Sequence, residues 1–131
     1  MKKLLLLVLL LTQTIISNSQ TVINTWKNQM LEDVRGEFVV KSTNYETIEM
    51  IIYNNTLVVK DQAHSVYRIV NDEPTTKKDE NGVYNFYNAK DEQFRSCSIV
   101  IMKPYNTSLK DPFVAVMYPS FWYIYYVKLS D

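Results

Sequence analysis

Seven short stretches follow one another along the chain: YETIEMIIY, LVVK, AHSVYRIV, GVYNFYN, QFRSCSIVIMK, FVAVMY and FWYIYYVKL. Each is rich in β-branched or aromatic residues, and each is bounded by Asn, Asp, Gly or Pro clusters. The connections are short enough for neighbouring strands to run antiparallel. A row of about eight such strands leaves two exposed sheet edges unless the sheet closes on itself. The expected fold is therefore mainly β, an antiparallel up-and-down meander forming a barrel, with a two-sheet β-sandwich as the alternative.

Local signals divide this row. In YETIEMIIY, Ile48, Met50 and Ile52 share one face, while Thr47 and Glu49 share the other. Asn54-Asn55 leads into LVVK, and Asn tolerates the positive φ of a tight hairpin turn. Residues 71 to 82, NDEPTTKKDENG, carry no large apolar side chain and read as a long polar loop ending in a turn at Asn81-Gly82. Tyr84 and Phe86 fall on one face of the next strand. In the last strand Phe121, Tyr123, Tyr125 and Val127 share one face and Trp122, Ile124, Tyr126 and Lys128 the other, so both faces need cover.

Ahead of the meander, TVINTWKNQMLEDVRG puts Ile23, Trp26, Met30 and Val34 at spacings of three and four. That spacing predicts a short amphipathic helix stopped by Gly36, with a strand starting near Trp26 as the rival reading. Earlier still, Lys2 and Lys3 precede an apolar block from Leu4 to Leu11 and then a small, polar stretch. This is the pattern of a secretory signal, and the block is too short to persist as a membrane span. Ser17 and Ser19 place cleavage before Gln20. Residues 1 to 19 are thus expected to be a signal peptide and residues 20 to 131 a single domain, secreted or periplasmic, with no stable membrane insertion after cleavage.

Export without a disulfide is the next constraint, since Cys97 is the sole cysteine and the domain must rely on its core. This favours a bacterial source. Without Lys2 and Lys3, 12 basic residues stand interspersed with 14 acidic ones, a balance that points away from nucleic acid. Sequons at Asn54 and Asn106 read as turn chemistry.

Catalytic and metal-binding patterns are absent from the sequence. His64 is the one candidate base and more often structural than catalytic on a strand, and Cys97 has no partner for a soft-metal site. Gly36 and Gly82 are too few for a phosphate-cradling loop. Asp72-Glu73, Asp79-Glu80 and Asp91-Glu92 read as solvated turns. Glu37, Glu46 and Glu49 could meet as a carboxylate pair only through the fold. A non-enzymatic protein without metal or cofactor is the expectation.

Eight meandering strands opened by Trp26, in NTWK, and closed by Lys128, in YYVK, resemble the lipocalin-like branch of the calycins. There a Trp near the first strand packs under a basic residue of the last and closes one barrel end. Asn24 stands where that family has Gly. The resemblance implies a barrel-closing pair, Trp26 and Lys128, and a small hydrophobic or amphipathic ligand held in the barrel without chemistry. Tyr84, Phe86, Tyr123 and Tyr125 are the expected ligand-binding residues. With 17 aromatic residues, the interior is expected to leave at most a narrow pocket. The alternative function is a secreted interaction module or inhibitor that meets a protein partner through an exposed aromatic patch.

Overall fold

The structure is a computed structural model that describes residues 20 to 71 and 73 to 129. The signal peptide expected at residues 1 to 19 lies outside the described residues. Among the described residues ten strands form: β1 (Thr21–Val34), β2 (Glu37–Asn44), β3 (Ile48–Tyr53), β4 (Thr56–Lys60), β5 (Ser65–Ile69), β6 (Thr75–Lys78), β7 (Gly82–Lys90), β8 (Ser96–Pro104), β9 (Phe113–Met117) and β10 (Phe121–Val127). Eight of them close into an antiparallel barrel in the order β1, β3, β4, β5, β7, β8, β9, β10, with β10 returning to β1. The order is largely up-and-down, as expected of the barrel rather than the sandwich. Closure leaves β2 and β6 as flanking additions on β1 and β7.

The expected N-terminal helix does not form; β1 occupies its place. Thr21, Val22, Ile23 and Thr25 are β-branched, which favours an extended backbone. Thr21, Ile23 and Thr25 are buried while Val22 and Asn24 are exposed, a period of two. Between Thr25 and Lys27 the register against β10 slips by one residue, so Trp26 is the residue inserted by a β-bulge. Beyond it the inward parity switches to Asn28 and Met30. That slip lets Ile23 and Met30, about two helical turns apart in sequence, both face inward from one strand, while Trp26 falls on the outer side.

Tight turns follow the backbone freedom of their residues. β1 and β2 join through Arg35 and Gly36 at φ 55° and 90°, and the Gly36 N–H donates to Asp33 Oδ1 at 2.8 Å. The expected hairpin at Asn54-Asn55 forms with both residues left-handed, φ 49° and 57°, and Tyr53 paired with Thr56. At Gly82 a Cβ would lie 2.2 Å from the Lys103 carbonyl oxygen, so only glycine lets β7 approach β8 there. The polar loop expected at residues 71 to 82 is interrupted by β6, whose four residues are all exposed.

Side chains fill the barrel. Ile23, Met50, Ile52, Leu57, Val59, Ile99, Val114 and Val116 are almost wholly shielded from solvent, and Tyr67, Tyr87, Tyr118 and Tyr125 complete the cluster. A second cluster lies on the outer face, with Val100, Ala115 and Ile124 beneath Leu31, Tyr84, Phe86, Phe113, Met117, Trp122 and Tyr126. The two faces of β10 divide as the alternation predicts. Cover for the outer face comes in part from β2, whose Phe38 stacks on Trp122 with ring centroids 3.9 Å apart.

Tyr125 is 5% exposed, whereas Trp122 is only half-buried. Tyr125→Ala is expected to cost about 3 kcal/mol, more than Trp122→Ala, when unfolding free energies are measured by chemical denaturation. Equal losses at the two positions would contradict this division of faces.

Candidate functional site

At one end of the barrel, β3 begins at Ile48, β4 ends at Lys60, and the β7–β8 connection passes through Asp91 and Arg95. Tyr67, Tyr118, Tyr123 and Tyr125 point into this end from β5, from the residue after β9 and from β10. Phe121 bridges two of them, stacked on Tyr118 at 4.6 Å and edge-on to Tyr123 at 5.4 Å. Burial chiefly raises the Tyr67 hydroxyl to about 12, with the Ser65 side chain pulling the other way. Burial likewise raises Tyr125, reinforced by Tyr67 and Asp61 nearby. These hydroxyls are therefore uncharged hydrogen-bonding groups at neutral pH.

Two aspartates at this end stand in opposite states. Asp91 is saturated: its Oδ2 accepts from the Tyr118 hydroxyl at 2.7 Å and from Arg95 Nε at 2.7 Å, and its Oδ1 accepts from the amides of Arg95 at 2.8 Å and Gln93 at 3.0 Å. Burial alone would raise the Asp91 carboxyl, but the Tyr118 hydroxyl and the Arg95 and Gln93 donors outweigh it and hold it at about 2. Asp91 therefore ties the β7–β8 connection to the barrel. In Asp61, by contrast, Oδ1 is buried and accepts no hydrogen bond.

Asp61 borders a cleft of about 360 Å³ between the β1–β2 hairpin and the turn after β4. Met30, Ile48, Tyr123 and Tyr125 supply its apolar wall, and Glu46 and Asp61 are its charged lining residues. From β2, Ser42 and Asn44 complete the rim. Glu46 is steadied by Asn28, whose Nδ2 donates to Oε1 at 3.3 Å, and Asn44 Nδ2 donates to Asn28 Oδ1 at 3.4 Å. A second cleft, about 340 Å³, lies beside it between Tyr67, Tyr118 and the Asp91 loop. A third depression, between Phe86, Cys97, Met117 and Tyr118, opens on the outer rim. The Asp61 cleft combines an apolar wall with an unpartnered acceptor, which suits an amphipathic molecule that donates a hydrogen bond.

The residues singled out in the sequence part company here. Tyr123 and Tyr125 line this cleft. Tyr84 and Phe86 do not face the barrel interior: they belong to the outer cluster, where Lys77 Nζ lies 5.2 Å from the Phe86 ring. The inward aromatic of β7 is Tyr87, one residue out of phase with them. Trp26 and Lys128 do not form a barrel-closing pair either. The bulge turns Trp26 outward beside the exposed Tyr45, at 5.9 Å, and the ammonium over its ring is that of Lys27, at 5.0 Å. Lys128 is exposed and joins β1 through its backbone, its N–H donating to Asn24 O at 2.8 Å. Asp61, Tyr67 and Tyr118 were not anticipated, although the alternation of SVYRI puts Tyr67 in phase with Ile69.

His64 lies in the turn before β5, exposed and left-handed at φ 52°. Burial and the Asp91 charge push the Cys97 thiol up to about 11, so it stays protonated at neutral pH. No protein-family model, no curated protein and no solved structure matches the chain.

Because the folded Asp91 carboxyl titrates below an unfolded aspartate, its contribution is complete above about pH 5. It is lost as the pH falls toward about 2. Asp91→Asn is expected to flatten the acid-side loss of unfolding free energy by up to about one proton's worth of slope. An unchanged slope between pH 2 and 5 would assign that loss to other carboxylates.

Proposed function

We propose that this protein is an exported, lipocalin-like binder of a small amphipathic ligand, and that the ligand sits in the Asp61 cleft rather than along the barrel axis. The observation that carries this reading is the buried, unpartnered Asp61 Oδ1 beside an aromatic wall. An unsatisfied buried acceptor is costly, and a ligand amine or hydroxyl would relieve that cost. The ligand's apolar body would lie on Met30, Ile48 and the rings of Tyr123 and Tyr125. The packed interior supports the same placement, since Ile23, Met50, Leu57 and Ile99 leave the axis to side chains. No bond is made or broken in this role. The export signal read from the first 19 residues would put the site in the periplasm or outside the cell.

NMR titration with short-chain alkylamines and with alkyl alcohols of matching length tests the proposal. Saturable shifts at Ile48, Asp61, Tyr123 and Tyr125 are expected, with Asp61→Ala weakening binding about tenfold through loss of one charge-assisted hydrogen bond. Shifts confined to Tyr84, Phe86 and Trp122 would instead favour the outer aromatic face and the interaction-module reading. No saturable shift anywhere with either series would overturn the cleft assignment.

A further inference from the structure

β2 ends the sheet path, and among the described residues only β1 pairs with it. Its other edge is therefore a row of unpaired backbone groups eight residues long. Which groups face outward follows from the neighbouring strands. The Asp33 N–H donates to Ser120 O at 2.9 Å, away from β2, so the Asp33·Phe38 pair is a non-hydrogen-bonded one. The N–H and C=O of Phe38 must then point to the free edge, and those of Val40 do so as well, two residues on. The side chains at this edge are open, with Val39 40% and Val40 51% exposed.

We infer that a second copy of this chain pairs antiparallel along β2, with the two-fold axis at Val39. An antiparallel self-pairing must match outward-facing residues with outward-facing residues, which limits the axis to Phe38, Val39 or Val40. An axis at Phe38 sets Lys41 against Arg35 of the other copy. An axis at Val40 sets the outward Phe38 against Ser42, which pairs with Met30 across a bulge and faces β1. Only the axis at Val39 joins Phe38 to Val40 in both directions, giving four backbone hydrogen bonds, and sets Glu37 of each copy opposite Lys41 of the other. Lys41 is the residue that the bulge inserts, and its long stem lets the ammonium reach that carboxylate from either side of the strand.

Packing favours the same register. Phe38 already stacks on Trp122, and Val40 stands opposite Leu31. Joining Phe38 to Val40 across the axis continues the outer apolar face of one barrel into that of its neighbour. A lysine on an edge strand commonly serves to block such pairing. Here the opposing glutamate turns that charge into an attraction specific to one partner, the same chain. The inference is independent of the ligand site, since Glu37 to Lys41 lie outside the cleft lining.

Sedimentation equilibrium of the purified protein from about 10 µM to about 1 mM tests it, because an interface this small implies a weak, reversible dimer. Lys41→Glu sets two carboxylates against each other at both ends and should raise the dissociation constant about tenfold. Glu37→Lys combined with Lys41→Glu should return it to within about twofold of the original, since the pairs are restored with their signs exchanged. Val40→Pro removes an outward N–H without taking a bond from β1 and should abolish the dimer. A monomer throughout the range would overturn the inference, as would a dimer whose strength ignores both Lys41→Glu and Val40→Pro. Thermal melts of each variant separate weakened pairing from lost fold.

Discussion

The pairing of β1 with β10 is the constraint on which the rest of the molecule depends. β10 holds β1 from Thr25 to Glu32 and so closes the sheet. At 14 residues, β1 extends about 45 Å, more than twice the length of the five-residue β4. One strand of that length cannot share its second edge with a single short neighbour. β3 takes Thr21 to Thr25 and β2 takes Asn28 to Val34, and the handover between them falls at the bulge of Trp26. The bulge, the projecting hairpin and the gap between β2 and β3 are thus consequences of one long strand closing a barrel of shorter ones. The Asp61 cleft occupies that gap.

The two ends of the barrel are treated differently. At the far end, backbone closes the structure: the Ile69 N–H donates to Asn55 O at 2.7 Å, the Val127 N–H to Pro112 O at 2.9 Å, and Gly82 admits the Lys103 carbonyl against β7. At the near end, tyrosine hydroxyls and carboxylates take over from aliphatic side chains. Asp91 spends all its acceptor capacity on its own loop and on Tyr118, which makes it a brace. Asp61 spends none of Oδ1 within the chain. Two aspartates in one rim, one saturated and one with a buried, unpartnered oxygen, divide this end between a brace and an unmet acceptor.

Much of the fold was legible because it is local. Asn54-Asn55 specifies a left-handed turn by residue type, and the alternation in FWYIYYVKL separates Tyr125 and Trp122 onto opposite faces. The errors have physical causes. In β1 a single inserted residue converts a period of two into a spacing that mimics a helix, and nothing at Trp26 alone announces the bulge. In β6, Thr75 to Lys78 has no apolar residue to mark a face, since it adds to the outside of β7 and buries nothing. In β7, Tyr84 and Phe86 alternate in step while Tyr87 and Ala89 take the inward positions; because both faces of this wall are apolar, periodicity could not say which was the core. The site was the least legible part, since Asp61 and Tyr125 are 64 positions apart in sequence. They meet only because β4 and β10 both bring these residues to the same barrel end.

The outward turn of Trp26 links these observations. In the calycin-like arrangement a tryptophan beneath a basic residue closes a barrel end, and an eight-stranded antiparallel barrel is what this chain forms. Here the bulge places Trp26 and Lys27 on the same outer side, and Lys27 spans the Trp26 and Tyr126 rings at 5.0 and 4.3 Å. Tyr126 in turn donates to Gln29 Oε1 at 2.9 Å, fixing β10 against β1 just past the bulge. The aromatic and basic residues therefore clamp the seam of the barrel from outside instead of plugging its end. A seam held this firmly orients the β1–β2 hairpin, whose Ser42 and Asn44 form one rim of the cleft while its Glu37-to-Lys41 edge stays clear of it.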